Sequence, residues 1–107
     1  MTFEIRKTAE FETDVDKALE YIVASLKSPR AALGLTDELE RAFDNLKENP
    51  YLAAISRKPI LRSHECREHL VRKYVIVYKI ESGTVYLLGF YHQMQLYEYR
   101  FLDRSSY

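Results

Sequence analysis

The stretch that decides the fold runs from Tyr74 to His92 and reads "YVIVYKIESGTVYLLGFYH". Two apolar runs, residues 74–80 and 84–92, flank a short Ser-Gly turn. Aromatic and β-branched residues on both sides of such a turn are typical of a β-hairpin. Both faces of the two strands are mostly apolar, so we expect the hairpin to lie at the centre of a sheet.

The N-terminal segment predicts one short strand and one amphipathic helix. In "TFEIRKT", Phe3 and Ile5 alternate with polar residues, which is typical of a strand. Apolar residues then recur at three- and four-residue steps: Phe11, Val15, Ala18, Leu19, Ile22 and Leu26. This spacing predicts a helix over residues 10–27.

A second helix is predicted by the stretch "SPRAALGLTDELERAFDNLKENP". Ser28 suits the N-cap and Pro29 the first helical position, while the Asn49-Pro50 step ends the helix. Its apolar stripe consists of Ala32, Leu35, Leu39, Ala42, Phe43 and Leu46. Gly34 weakens this helix by roughly 1 kcal/mol relative to alanine. The two helices, separated by the Ser-Pro break, form a helical hairpin.

The remaining segments complete an α+β fold with the order β-α-α-β-β-β. We expect residues 51–65 to form a loop, "REHLV" to form the second strand, and the residues after His92 to form a short tail. The helical hairpin then packs on one face of a small antiparallel sheet. Little chain remains to cover the opposite face, so we expect that face to stay apolar and uncovered, which is typical of a binding surface.

Length and composition indicate one domain over residues 1–107 without a membrane span. The N-terminus lacks the apolar core of a signal peptide, and no apolar run approaches the ~18–20 residues that cross a bilayer. The single cysteine, Cys66, cannot form an internal disulfide, so we expect a cytoplasmic protein.

The charge is balanced overall but segregated along the chain. Residues 1–55 carry seven basic and eleven acidic side chains, whereas residues 56–80 carry seven basic and two acidic ones. This segregation favours a charged contact surface just upstream of the hairpin.

These segments resemble the RelE/ParE superfamily, the toxins of type II toxin–antitoxin modules that include plasmid stabilisation systems. The resemblance spans most of the chain and is carried by "SPRAA", by "ELERAFDNLKENPYLA" and by "REHLVRKYVIVYKIESGTVYLLGFYH". It implies the fold given above, no cofactor, and a cognate antitoxin whose disordered C-terminal segment folds onto the toxin. We expect that segment to cover the sheet and the tail.

One branch of the superfamily, resembling RelE, cleaves messenger RNA in the ribosomal A site. The resemblance implies an arginine after the tyrosine that opens the third strand, but Val75 stands there, and Gln93 stands where another basic residue is usual. Losing one such charge commonly costs a hundred-fold in rate. If the chain is nevertheless an endoribonuclease (an mRNA interferase), His92 and Tyr99 are the catalytic candidates.

The other branch, resembling ParE, poisons DNA gyrase by binding it. The long helical hairpin and the near-neutral charge favour this branch, with a gyrase contact formed by the sheet edge and the C-terminal tail. A third hypothesis is a member that binds its antitoxin but has lost toxicity.

The candidate target- or phosphate-binding residues are mainly basic: Arg67, Arg72, Lys73, Lys79 and Tyr97. A solvated rim is the alternative for the four cations, packing is the alternative for Tyr97 and Tyr99, and a plain strand end is the alternative for His92. We expect carboxylates of the antitoxin to reach the four cations.

The sequence "HECREH" invites a metal hypothesis, which we reject. His64, Cys66 and His69 lack a fourth ligand and a zinc-site spacing, and Cys66 fits better as a small buried residue.

Overall fold

The computed structural model describes residues 2–103. Four strands and four helices follow in the order β1 (Glu4–Lys7), α1 (Ala9–Ala24), α2 (Pro29–Glu48), α3 (Pro59–Ser63), β2 (Arg67–Val71), β3 (Tyr74–Glu81), β4 (Thr84–His92) and α4 (Tyr97–Leu102). The predicted order of strands and long helices is confirmed. The two short helices α3 and α4 lie where a loop and a plain tail were expected.

The caps of the helical hairpin are set by local sequence. The Ser28 hydroxyl accepts a hydrogen bond from the Ala31 N–H, and α2 ends at Glu48 with Asn49 as its C-cap, at the predicted Asn49-Pro50 step. All six residues of the predicted α2 stripe are buried. The first helix ends at Ala24, three residues before the expected end at Lys27. Lys27 has a positive φ of 52°, which lies outside the right-handed helical region.

The sheet has the strand order β1-β4-β3-β2. Strands β2, β3 and β4 are antiparallel, as expected, but β1 pairs with β4 in parallel, so that the sheet is mixed. Thr8 fastens this edge, because its hydroxyl caps α1 at the Phe11 N–H and donates to the Leu87 carbonyl in β4.

The helical hairpin covers one face of the sheet, which we call the near face. Phe11 of α1 contacts the rings of Phe43 in α2 and Phe90 in β4, edge to face, at centroid distances of 6.1 and 6.0 Å. Tyr78 is fully buried in the same core and donates its hydroxyl hydrogen to the Pro50 carbonyl. This core fixes α1 and α2 on the sheet.

The opposite, far face is also covered at its centre, and the expectation of an uncovered face is therefore wrong. Helices α3 and α4 pack on it and bury Val75, Val77 and Leu88. Leu61 from α3 and Phe101 from α4 are themselves 0% and 1% exposed. Sequence periodicity missed this layer because helices of five or six residues have too few turns to show a repeat.

A β-bulge in β4 distributes its aromatic residues between the two cores. Val77 pairs with Gly89 and Tyr78 with Leu87, which leaves Leu88 as the extra residue. Phe90 consequently faces the near core and Tyr91 the far core. A Cβ at position 89 would lie 2.5 Å from the Tyr91 ring, so only glycine admits this close approach.

No helix within residues 2–103 combines the length and the apolar character that crossing a membrane requires.

Candidate partner-binding site

The predicted basic residues lie at two ends of the β2–β3 hairpin rather than in one cluster. Arg67 pairs with Tyr78 at one end, whereas Arg72 and Lys73 form the turn at the other end. Arg67 and Arg72 are five positions apart, which is about 16 Å along the strand. The structure therefore brings only Arg72 and Lys73 together.

Arg67 and Lys79 are engaged within the chain. The Arg67 guanidinium donates to the Ala53 carbonyl and lies over the Tyr51 ring, 5.1 Å from its centroid. Lys79 lies on the face of Val75 and Val77, as expected from the strand period, and pairs with Glu81 at 3.4 Å. These contacts assign Arg67 to holding the loop after α2 and leave Lys79 at the rim of the far face.

Arg72 and Lys73 have no such partners. Both are exposed, and within residues 2–103 no carboxylate lies in ion-pair contact with either. The Lys73 carbonyl accepts from the Gln93 N–H at 2.8 Å, which ties the β2–β3 turn to the end of β4. Two positive charges are thus held next to the last residues of the sheet.

Arg72 and Lys73 border a groove of about 410 Å³ between the sheet end and the tip of the helical hairpin, which we call the cationic groove. Its apolar lining comes from Ile22, Leu26, Ala31 and Leu35. Its polar and aromatic lining comes from Tyr21, Arg72, Lys73, Tyr74 and His92. No carboxylate is among these nine residues.

His92 lines the cationic groove from the end of β4. Its Nδ1 accepts a hydrogen bond from the Met94 N–H at 3.2 Å, and its ring meets the Tyr74 ring edge to face at 5.4 Å. With Nδ1 used as an acceptor, the neutral ring carries its proton on Nε2. In that form Nε2 can donate to an anion but cannot take a proton.

Tyr21 and Tyr74 meet at the centre of this region. Burial, and secondarily the neighbouring Tyr21 hydroxyl, raises the pKa of Tyr74, so that Tyr74 stays a neutral hydrogen-bond donor. Both tyrosines and His92 also line an adjoining groove of about 370 Å³, to which Lys17 and Arg100 belong. Asp14 borders this second groove, where its carboxylate accepts from the Phe90 N–H at 3.0 Å.

The two tyrosines of α4 differ in what they can offer a partner. Tyr97 is 4% exposed; its ring stacks on Tyr91, and its hydroxyl donates to Glu68. The structure therefore places Tyr97 in the far-face core, out of reach of a nucleic-acid base. Tyr99 is 59% exposed and does not line the groove that holds His92.

Val75 occupies the position where the resemblance to RNA-cleaving toxins implies an arginine. It is 5% exposed and belongs to the far-face core beneath α4. Gln93, at the second such position, is exposed in the turn after β4. The side chains that would neutralise a phosphate during cleavage are thus replaced by an apolar contact and an uncharged amide.

The three residues of the rejected metal hypothesis are used elsewhere. Cys66 is fully buried, as predicted, and burial raises the pKa of its thiol to about 11. The His64 ring contacts Phe101, whereas His69 pairs with Ile76 of the near-face core. Burial lowers the pKa of His69. Within residues 2–103 no three His, Cys, Asp or Glu side chains are grouped to hold a metal.

Sequence reasoning missed the helical side of the cationic groove. Leu26 belongs to the apolar stripe predicted for the first helix, yet its side chain is 57% exposed; Tyr21, which lies outside that stripe, is 55% exposed. The Ser28-Pro29 step is a sequence signal for this exposure. A new helix that begins at Pro29 requires the first helix to end before it, so Leu26 lacks the helical turn that would have buried it.

Comparison with known proteins identifies the family. The family model described as "ParE toxin of type II toxin-antitoxin system, parDE" matches residues 5–97. A chain of the chromosomal ParDE TA system from P. aeruginosa is 15% identical with a TM-score of 0.68, over 85% of this chain and 96% of that one. A chain of the toxin–antitoxin complex RelBE2 from Mycobacterium tuberculosis is 21% identical with a TM-score of 0.57, over 86% and 99%.

At these identities the two solved structures show a shared fold, and no curated protein sequence matches the chain. The family model, in contrast, covers most of the chain. The chain therefore belongs to the ParE toxin family of type II toxin–antitoxin systems.

Proposed function

We propose that the protein arrests bacterial growth by binding and poisoning DNA gyrase, and that a cognate antitoxin neutralises it. The family supports a toxin, and the two similar folds come from toxin–antitoxin systems. Such a toxin acts in the cytoplasm, where gyrase is found.

The observation that carries this proposal is the burial of Val75. Cleavage of a phosphodiester needs positive charge around the scissile phosphate. The far face offers instead an apolar core closed by α4 at the position where that charge is expected. A toxin without such charge is better suited to act by binding its target.

The exposed tail is the best candidate for the gyrase contact. Four apolar side chains of the tail are more than half exposed: Met94 at 81%, Leu96 at 72%, Tyr99 at 59% and Leu102 at 52%. Apolar side chains grouped in this way on a surface are typical of protein–protein contacts. The tail lies beside the second groove, through Gln95 and Arg100.

A ribosome-dependent endoribonuclease is the second candidate. The observation in its favour is the meeting of Arg72, Lys73, Tyr74 and His92 in the cationic groove. Its weakness is the state of His92, whose Nδ1 already accepts a hydrogen bond and whose neutral form then lacks a free basic nitrogen.

Induced expression in bacteria separates these functions. We expect filamentation and an SOS response, because a poisoned gyrase leaves broken DNA, with translated messages intact. Cuts at codon positions in translated messages, without DNA breaks, would establish the endoribonuclease, and unimpaired growth would indicate that toxicity has been lost.

A paired variant tests the tail. The double substitution Met94→Ser and Leu96→Ser removes exposed apolar area, and we expect it to abolish the SOS response without unfolding the protein. Leu33→Ser, which replaces a leucine 68% exposed on α2, is the matched control and should stay toxic. Equal toxicity of both variants would exclude the tail as the gyrase contact.

A further inference from the structure

The cationic groove combines an apolar floor with a rim that carries only positive charge. Leu26 and Tyr21 leave more than half of their side chains exposed beside Arg72 and Lys73. Another groove, to which Phe11 and Phe43 belong, differs from it, because Glu12, Asp16 and Glu40 line it together with a single cation, Lys7. Charge complementarity therefore selects an acidic occupant for the cationic groove and disfavours a basic one.

The backbone at Arg72 goes against local preference. Arg72 is the first of the two turn residues between β2 and β3, and its φ is 56°. A side chain with a Cβ rarely adopts this region, and glycine is the favoured residue at such a turn position. An arginine thus occupies a position where a residue with a Cβ is conformationally disfavoured.

The residue beneath Arg72 goes against local preference as well. Gly34 lies inside α2, where alanine would be favoured. A Cβ at Gly34 would lie 2.8 Å from one guanidinium nitrogen of Arg72 and 3.0 Å from the other. The guanidinium thus rests on the bare helix backbone that glycine provides.

The positive φ of Arg72 and the glycine at position 34 are both locally unfavourable, and the two positions are 38 residues apart. Both nevertheless determine where the Arg72 guanidinium lies. Residues that go against local conformational preference are typically found at functional sites. Here two such residues position the same side chain. The backbone turn directs Arg72 toward α2, and Gly34 lets it lie flat at the edge of the groove.

We propose that the cationic groove binds an acidic segment of the antitoxin that carries an apolar anchor, and that Gly34 positions Arg72 for this contact. The proposal rests on the proposed function for the existence of an antitoxin. The apolar anchor covers Leu26 and Leu35, while a carboxylate reaches Arg72 and Lys73 and accepts from Nε2 of His92.

A peptide titration tests the chemistry of the groove. The probes are a short peptide of alternating leucine and glutamate and its counterpart with lysine for glutamate, added to the ¹⁵N-labelled protein. We expect the acidic peptide to shift the amide signals of Leu35, Tyr74 and His92, and the basic peptide to leave them unchanged. Shifts spread over basic residues remote from the groove, equal shifts with both peptides, or no shifts would overturn the proposal.

Three variants test the role of Gly34. Gly34→Ala should keep or raise the melting temperature, yet weaken acidic-peptide binding about threefold or more, because Arg72 must move. Arg72→Gly should weaken binding roughly five- to tenfold without lowering the melting temperature. Arg30→Ala, which removes an exposed guanidinium of the same helix outside the groove, should bind as the wild type does.

A double substitution separates positioning from packing. In the Arg72→Gly background, Gly34→Ala should have no further effect on peptide binding, because the guanidinium it displaces is gone. Two results would overturn the role of Gly34. One is wild-type peptide affinity in Gly34→Ala. The other is a loss of affinity on Gly34→Ala that is as large in the Arg72→Gly background as in the wild type. Peptide binding is measured without gyrase, so a failure here and a failure of gyrase poisoning are distinguishable.

Discussion

Single side chains help to hold the far face closed, and Tyr97 is one of them. Its hydroxyl donates to Glu68, its ring stacks on Tyr91, and the Lys58 ammonium lies 5.2 Å from its centroid. Burial, followed by the hydrogen bond to Glu68, raises the pKa of Tyr97. The phenol therefore stays protonated and keeps its donor at neutral pH.

Tyr97→Phe tests this hydrogen bond. The ring stack survives, but the Glu68 carboxylate loses its donor, and we expect the free energy of unfolding to fall by about 1–3 kcal/mol. Tyr99→Phe, at an exposed position, should change it by less than about 0.5 kcal/mol. Urea denaturation measures both, and equal values for the two variants would contradict the role of Tyr97.

Cys66 makes stability depend on pH in the alkaline range. Its pKa is raised by burial from 9.0 to about 11, an effect that nearby Lys79 opposes. Between these values the unfolded chain binds fewer protons than the folded protein, so stability is complete below pH 9 and declines as pH rises toward 11.

Cys66→Ala provides the matched measurement of this effect. In urea titrations between pH 9 and 10, the wild-type free energy of unfolding should fall by up to about 1.4 kcal/mol per pH unit from this thiol. The variant should lack that part of the slope. Burial also raises the pKa of Tyr78 to about 12. Tyr78 therefore lowers the free energy of unfolding above pH 10 in both proteins. Identical slopes would contradict the assignment.

At the residue scale the sequence predicted the burial of Cys66 and the face of Lys79, but not the grouping of the cations. Arg67 and Arg72 are five positions apart in one strand and its turn, and a count of charges does not show that the first reaches Ala53 while the second reaches Gly34. Those contacts depend on loops and helices remote in sequence.

Among the elements, the helical hairpin was predictable and the far-face cover was not. Ser28, Pro29 and the Asn49-Pro50 step determine the ends of α2 through contacts with residues close to them in sequence. Their effect can therefore be predicted from the local sequence. Helices α3 and α4 are stabilised instead by tertiary burial of Leu61 and Phe101. The parallel pairing of β1 with β4 likewise depends on contacts about 80 residues apart.

Removing one anchor of α4 tests how the far face is covered. Phe101→Ala should lower the free energy of unfolding by about 3–5 kcal/mol, because a fully buried ring leaves a cavity over Val75 and Val77. Leu102→Ala, at a half-exposed neighbour, should cost less than about 1 kcal/mol. A small cost for Phe101→Ala in urea denaturation would indicate that α4 does not seal this face.

Across the molecule, both faces of the sheet are covered at their centres. The surfaces that can bind a partner therefore lie elsewhere than expected. The flat apolar sheet predicted as a docking surface is occupied by the chain's own short helices. The cationic groove at the hairpin tip and the apolar tail after β4 remain exposed. The family assignment is independent of that change, since it rests on the match over residues 5–97.

A gyrase assay with the purified protein tests whether it poisons this enzyme. Gyrase, relaxed plasmid and ATP are incubated with the protein, and cleaved plasmid held on gyrase is measured after denaturation. We predict that cleaved plasmid accumulates with protein concentration, while messenger RNA in a translating extract stays intact. Undisturbed supercoiling at a large molar excess of the protein, together with cuts in translated messages, would contradict it.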